Sequence, residues 1–316
     1  MIFESFNCLI PFYHLISNHP PAHIRHVYLP KTEQQFEQDL DYLCRCYKPL
    51  SLGELEQVAL GSLRLSKPGF HLTFDDGLSE CFHLVAPILA KKGIPATFFL
   101  NAAFVDNQGL FYRYKVSLLL EHFQNNPQDV QPAMAHLGAL PQQAIKNVLL
   151  SLGYADTQHI DALATQLGLD FKAYLLHQKP YMSTAQIQDM HKQGFAFGAH
   201  SLDHPYMHLL SEEAQMEQFT QSIVQLKNRL AIPIHSFAFP FTDHGVRGAT
   251  IARMHQTQLI SLSFGTSGIR PDEVQGHLQR FSLEQNHQTA RHLIAKEKLK
   301  AIVRTCLRRN TLKANR

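Results

Sequence analysis

The sequence predicts an α/β fold built on a mainly parallel sheet or barrel, and three observations carry this. Apolar strand-like runs recur at about residues 8–14, 69–74, 95–100, 195–199, 235–239 and 259–264, with helical patterns between them, the alternation that builds repeated β/α units. The chain of 316 residues, 45% hydrophobic, can bury a large core. One domain over 1–316 is expected, since barrels of about 250 residues are ordinary. Between residues 106 and 182 the strand rhythm gives way to helical spacing, in Val116, Leu119, Leu120 and Phe123 and again in Ile145, Leu149 and Leu150, which predicts a helical insertion.

The elements follow in order from their end signals. Thr32 with Gln35 makes a capping box ahead of the stripe Phe36, Leu40, Leu43 and Tyr47, and Ser51 with Glu54 opens a second helix. Leu84, Ile88 and Leu89 build a helix that stops at Gly93, after which 95–100 reads as a strand. Phe111-Tyr112-Arg113-Tyr114 is by default insertion core, with a substrate wall as the second reading, because aromatic faces stack on sugar rings. Ser183 with Gln186 caps a helix through Met190 that ends at Gly194. From Arg291 to Arg316 nine Lys/Arg stand against one acid, Glu297, on a helical pattern with Leu293, Ile294, Ile302, Val303 and Leu307. A solvated basic helix or tail over 288–316 is the default, and a contact with an anionic membrane surface is the alternative.

Two stretches carry chemistry. Thr73-Phe74-Asp75-Asp76-Gly77 puts adjacent carboxylates where an apolar strand ends and Gly77 permits a turn, so both can reach one cavity with different tasks: one binds a cation and the other stays free as a base. His200-Ser201-Leu202-Asp203-His204 follows the apolar run 195–199, and the four-residue spacing predicts both imidazoles on one face of a helical turn. Two imidazoles and one carboxylate make the three-ligand set of a catalytic zinc, with a position left for water. Alone, Asp-Gly is a common turn dipeptide, and a histidine pair is unremarkable among 20 histidines. Together, directly after strands, they sit where α/β folds keep active-site loops.

The remaining composition narrows the class. A net charge of +3 and the lack of a phosphate-cradling Gly-Lys-Ser loop give no case for nucleic-acid binding. Five cysteines, an odd count, argue against a disulfide scaffold and suit a reducing compartment. The first ten residues do not read as a signal peptide, so the expected location is cytoplasmic, with the basic tail peripheral to the inner membrane face as the alternative.

These residues resemble the polysaccharide deacetylases with a NodB-type domain, also called carbohydrate esterase family 4. The resemblance runs through Tyr13-His14, Pro49-Leu50-Ser51-Leu52, Leu72 to Gly77, Ile94 to Phe99, His200 to His204 and Phe237-Ala238-Phe239-Pro240-Phe241. It implies a distorted (β/α)7 barrel, a divalent metal, usually zinc, on Asp76, His200 and His204, and Asp75 as general base toward the attacking water. It also implies a backbone N–H of Phe241 as oxyanion donor, where the family usually has tyrosine.

Two departures matter. Ala238 stands where the family commonly has an arginine that orients the base, and Arg280 is the candidate replacement, with a surface salt bridge as its other reading. The late leucine–x–histidine motif is not evident around Arg280-Phe281-Ser282-Leu283-Glu284. A subgroup resembling the poly-N-acetylglucosamine deacetylases has a permuted order with the acid histidine on the first strand. His14 fits that place, and His244 is the reserve. The function implied is removal of N-acetyl groups from amino sugars of a glycan or glycan precursor. The competing readings are a small amide, imide or formamide hydrolase on the same fold and a catalytically weak glycan-binding protein.

Overall fold

The computed structural model describes residues 7–138, 144–285, 288–307 and 310–313, and the chain divides into two compact units. The first comprises residues 1–18, 30–106 and 181–316, and the second residues 19–29 and 107–180.

Among the described residues, eleven strands lie in the first unit: β1 (Cys8–Leu9), β2 (Pro11–Tyr13), β3 (Lys48–Pro49), β4 (Gly69–Phe70), β5 (Leu72–Phe74), β6 (Ala96–Leu100), β7 (Ala196–Ala199), β8 (Ser236–Ala238), β9 (Leu262–Gly265), β10 (His277–Gln279) and β11 (Phe281–Ser282). All pair in parallel, as a three-stranded sheet β1-β4-β3 and an eight-stranded sheet β10-β9-β8-β7-β6-β5-β2-β11. Only Arg280 separates β10 from β11, yet they occupy opposite ends of that order. The stretch 277–282 therefore pairs with β9 on one side and β2 on the other, and closes the sheet on itself. Ile10 and His71 interrupt two further strands in the same way, so the barrel has seven staves: β1/β2, β4/β5, β6, β7, β8, β9 and β10/β11. This is the (β/α)7 architecture.

Helices begin where the capping residues place them. Thr32, Ser51 and Ser183 each accept from the backbone N–H three residues on, and Gln35, Glu54 and Gln186 reach back, opening helices Glu33–Cys46, Leu52–Ala59 and Thr184–Lys192. Gly93 ends Ala86–Lys92 with φ 65°. The core of this unit is aromatic: the Phe74 ring stacks between Tyr13 (5.7 Å) and Phe98 (5.0 Å), with Phe36 edge-on. Buried Asp39 accepts from Tyr13 Oη (3.0 Å), Lys31 Nζ and the Ala290 N–H (2.6 Å), joining a barrel strand to the helices on either side of the sequence.

The second unit is helical, with Tyr112–Asn125, Val130–His136, Ile145–Ser151, Thr157–Gln166 and Phe171–Gln178. Glu121 binds His26 (2.8 Å) and Arg25 (2.5 Å), which fixes residues 19–29 to the first of these helices. Phe111, Tyr112 and Tyr114 are buried against one another within this unit, the arrangement of core rather than of an open wall.

Candidate functional site

Parallel strands bring their C-terminal ends together, and the chemistry gathers there. Asp75 and Asp76 follow β5, His14 follows β2, His200 follows β7, Phe241 follows β8, and Glu284 follows β11. The backbone at these ends is unusual. Asp76 (φ 71°), Ser201 (φ 68°), His204 (φ 67°) and Phe241 (φ 57°) all occupy the left-handed region, which costs a non-glycine residue about 1 kcal/mol or more. Gly77 also lies there, and a Cβ on it would stand 2.8 Å from Leu100 Cδ2. Asp76 and Gly77 together turn the chain so that neighbouring carboxylates face one cavity.

Asp75 is clasped from one side. Arg280 Nη1 and Nη2 donate to its Oδ1 (2.7 Å) and Oδ2 (2.9 Å), and Nη1 also donates to Thr73 Oγ1 (3.0 Å). The guanidinium is fully buried and lies 4.9 Å from the Phe12 ring centroid and 5.2 Å from that of Phe99. The surface-salt-bridge reading of Arg280 is thus corrected. It is an interior, two-pronged contact with both carboxylate oxygens, and it takes the place of the arginine absent at Ala238. Burial opposes ionisation of Asp75, but Arg280 and the nearby imidazoles hold its carboxyl below the usual carboxylate range.

The histidine pair is positioned by a loop and not, as the spacing predicted, by a helical turn. Ser201 and His204 are left-handed, which excludes a continuous helix. Ser201 Oγ accepts the His204 N–H (3.0 Å), the Asn101 side chain donates to the His200 carbonyl, and Gln218 bridges the Leu202 N–H (3.0 Å) and Asp203 Oδ1 (2.8 Å). Ser201 and Asp203 thereby hold the turn. The His200 ring bonds through Nδ1 to the Ala238 carbonyl (2.8 Å), which places its hydrogen there and leaves Nε2 with a lone pair. Burial lowers the His200 pKa to about 4, so the ring is neutral, as a ligand must be.

The candidate ligand atoms converge. His204 Nε2 lies 3.1 Å and His200 Nε2 3.6 Å from Asp76 Oδ1, and the three atoms sit within 4.8 Å of one another. Donors around a tetrahedral cation at about 2.0–2.1 Å stand about 3.3 Å apart, so the spacing fits one small divalent ion. Asp75 Oδ2 faces the same point, 4.0 Å from His200 Nε2.

His14 is held at the mouth of this cluster, with 22% of its side chain exposed. Its Nδ1 bonds to Glu284 Oε2 (2.6 Å), and Glu284 Oε1 accepts the His14 and Leu15 N–H groups (2.9 and 3.1 Å). Burial alone would lower the imidazole pKa, but Glu284, with Asp76 and Asp75 adding to it, raises it to about 9. The Phe241 ring lies flat on Tyr206 (3.8 Å) and edge-on to His204 (4.5 Å). His244 is exposed in a turn.

Sequence reasoning missed the role of Glu284, the brace Asn101, and the support beneath Phe241. Fully buried Asp243 accepts from Thr266 N (3.1 Å) and Gln279 Nε2 (2.9 Å) and contacts His277 (3.2 Å), while Thr266 Oγ1 donates to the Phe241 carbonyl (3.2 Å). Gly265 is required there, because a Cβ would stand 2.4 Å from Asp243 Cγ. Asp243, Asp272 and His277 also converge within 4.8 Å, where Gln279 Nε2 donates to both carboxylates (2.9 and 3.2 Å).

The polysaccharide deacetylase family pattern matches residues 63–260, more than half of the chain. The chain belongs to the polysaccharide deacetylase family. Membership makes it a hydrolase of non-peptide carbon–nitrogen bonds, of the kind that acts on N-acetylated glycans. The match contains Asp75, Asp76, His200, His204 and Phe241, starts after His14 and ends before Arg280 and Glu284. No curated protein matches the chain in sequence. Among solved structures, the chain is similar to the Streptococcus pyogenes deacetylase PplD in complex with acetate, at 16% identity over 91% of this chain and 96% of that one, with a TM-score of 0.59. It is similar to IcaB from Ammonifex degensii, at 18% identity over 92% and 97%, TM-score 0.57. It is also similar to a de-N-acetylase from Aggregatibacter actinomycetemcomitans, at 12% identity over 92% and 99%, TM-score 0.56. At these identities the likeness is one of fold.

Proposed function

We propose that this deacetylase-family chain removes N-acetyl groups from amino sugars of a glycan or glycan precursor by metal-dependent hydrolysis. The observation that carries the reading is a convergent ligand set, Asp76, His200 and His204, with a buried, arginine-clasped second carboxylate facing it. The three ligands would hold a divalent cation, zinc being the ion their imidazole and carboxylate donors suit. Such a cation supplies Lewis acidity toward an amide carbonyl and lowers the pKa of a water.

The chain's own groups divide the proton work. Asp75 is ionised, and Arg280 fixes its plane while leaving lone pairs on both oxygens, so it takes the proton of the attacking water. The Phe241 N–H would donate to the oxygen on which negative charge develops. His14 carries its proton at neutral pH, and Glu284 keeps Nδ1 occupied, so Nε2 delivers a proton to the amine as the carbon–nitrogen bond breaks and acetate leaves.

The reading is tested by acetate release from N-acetylglucosamine oligomers. Chelated protein is expected to release none, and stoichiometric zinc is expected to restore release with one free amine per acetate. Protein with stoichiometric zinc bound and no acetate released would overturn it.

Glu284→Gln tests the assignment of His14. The amide keeps an oxygen for the His14 and Leu15 N–H groups but offers an NH2 to Nδ1. The sign follows from the site: the acid form persists up to about pH 9 while the carboxylate is present, and without it burial dominates and the pKa falls. The alkaline limb of kcat/KM is expected to move to lower pH, with kcat reduced about tenfold or more. An unmoved limb would place the acid on another group.

A further inference from the structure

The helix Ala290–Cys306 has two apolar faces. One, made by Leu293, Ile294 and Ala301 with Glu297 among them, is buried against the first unit. Leu299, Ile302 and Val303 recur three and four residues apart on the opposite side, and with Leu307 at the C-cap they are 62, 46, 49 and 61% exposed. Of the nine large hydrophobic residues exposed among the described residues, four are here, and the other five are scattered over separate segments. A contiguous outward apolar stripe marks a docking surface, whereas single exposed hydrophobics are ordinary.

The charges beside the stripe indicate what docks. At 100° per residue, exposed Arg291 falls on one flank, and exposed Lys296 and Lys300 fall on the other. The helix has one acid, Glu297, which is buried and ion-paired with Lys300 (2.6 Å) and Arg304 (3.7 Å). A second copy of the helix laid on this face would bring cationic flanks together with no exposed helical acid to pair them. An anionic bilayer satisfies both features at once, taking branched aliphatic side chains below the headgroups and cations at headgroup level. No helix among the described residues is long and apolar enough to cross a membrane, so the contact is one of lying on the surface.

We infer that the outward face of helix Ala290–Cys306 is a peripheral docking surface for an anionic lipid bilayer. The inference does not depend on the hydrolytic reading, because none of these residues contributes to the metal cluster or to the proton-transfer groups.

The chain contains no tryptophan, so Leu299→Trp installs a single reporter on an exposed site. Its emission is expected to shift to the blue with phosphatidylglycerol-containing vesicles and to stay unchanged with pure phosphatidylcholine. Sedimentation of the unsubstituted chain with the anionic vesicles is expected to be at least about tenfold greater than with neutral ones and to weaken in high salt. Both the Ile302→Ser/Val303→Ser variant and the Arg291→Glu/Lys296→Glu variant, which leaves the Lys300–Glu297 pair intact, should abolish this preference while retaining acetate release and melting temperature. The inference is overturned if the emission is unmoved by anionic vesicles, or if either variant sediments like the parent. It is likewise overturned if the apolar variant instead dissolves a concentration-dependent dimer that binds no vesicles, which would give the face to a second copy.

Discussion

Asp75→Asn is expected to lower kcat for acetate release by about 10²- to 10⁴-fold, the range general-base catalysis supplies, while stoichiometric zinc binding survives. The substitution is nearly isosteric and leaves Asp76, His200 and His204 in place. What it removes is a carboxylate that Arg280 helps to keep ionised, that lies 4.0 Å from His200 Nε2 and that is not one of the three converging groups. Arg280 keeps Thr73 Oγ1, the Gly265 carbonyl and three aromatic faces around it, so the site should remain folded though less stable, with one oxygen in place of two facing the guanidinium. The loss should therefore appear in kcat far more than in KM. Steady-state acetate release with the zinc content of both proteins measured in parallel checks this. A fall of less than about tenfold with zinc retained would mean that the base is another group.

The same carboxylate shows where sequence reasoning reached and where it stopped. The strand runs that carry the site were legible because their residues are apolar and buried on both faces, as at Leu72-Thr73-Phe74 and Ala96 to Leu100. Thr32, Ser51 and Ser183 announced their helices because capping is a local hydrogen bond. The closing strand 277–282 gave no such signal. Its buried residues include His277, Gln279 and Arg280, whose polar groups are matched by Asp243 and Asp75 and not by an apolar layer. Those matches span 34 to 205 residues of sequence, and no periodicity reports a contact at that range. Residues 19–29 were unreadable for a related reason, since their partner Glu121 is about a hundred residues away.

The histidine loop failed differently. A four-residue spacing brings two side chains together on a helix, but a loop with two left-handed residues does so as well. Residue type decides between them only weakly, because positive φ is uncommon for any non-glycine residue, even for histidine, which is enriched there. That Asp76, His200 and His204 converge was legible, while the backbone that presents them was not. The left-handed conformation recurs at Asp76 and Phe241, so the site as a whole depends on surrounding bonds to hold strained geometry: Asn101 and Gln218 around the histidines, and Thr266 with Asp243 under Phe241. Rigid strands bring these ends together, and polar side chains from neighbouring strand ends and from the helix Glu212–Leu230, which carries Gln218, then fix the turns.

Arg280→Leu is expected to destabilise the zinc-free protein by about 3–5 kcal/mol, the cost of leaving one member of a buried ion pair without its partner. Both members here are inside the barrel, with side chains 0% and 4% exposed. Leucine would also leave space where the guanidinium lies among Phe12, Phe99 and Phe264. The pH dependence separates charge from packing. In the parent, Arg280 contributes to holding the Asp75 carboxyl below its ordinary 3.8, so its stabilisation is present above that value and is lost as pH falls through the folded pKa. In the variant, burial acts without its main opponent and raises the carboxyl pKa, so the stability gap between the two proteins should widen from acid toward neutral pH. The acid limb of kcat/KM should move to higher pH for the same reason, because a protonated Asp75 accepts nothing. Arg280→Lys restores the charge but not the paired, parallel donation to two oxygens, and is expected to recover more stability than turnover. Urea unfolding of zinc-free protein between pH 4 and 7, roughly the interval over which buried carboxylates titrate, measures the first effect without linkage to the metal. A loss near zero with an unmoved acid limb would reduce Arg280 to a space-filler at the barrel's closing strand. A pH-independent loss would leave it a packing role and free Asp75 from its control.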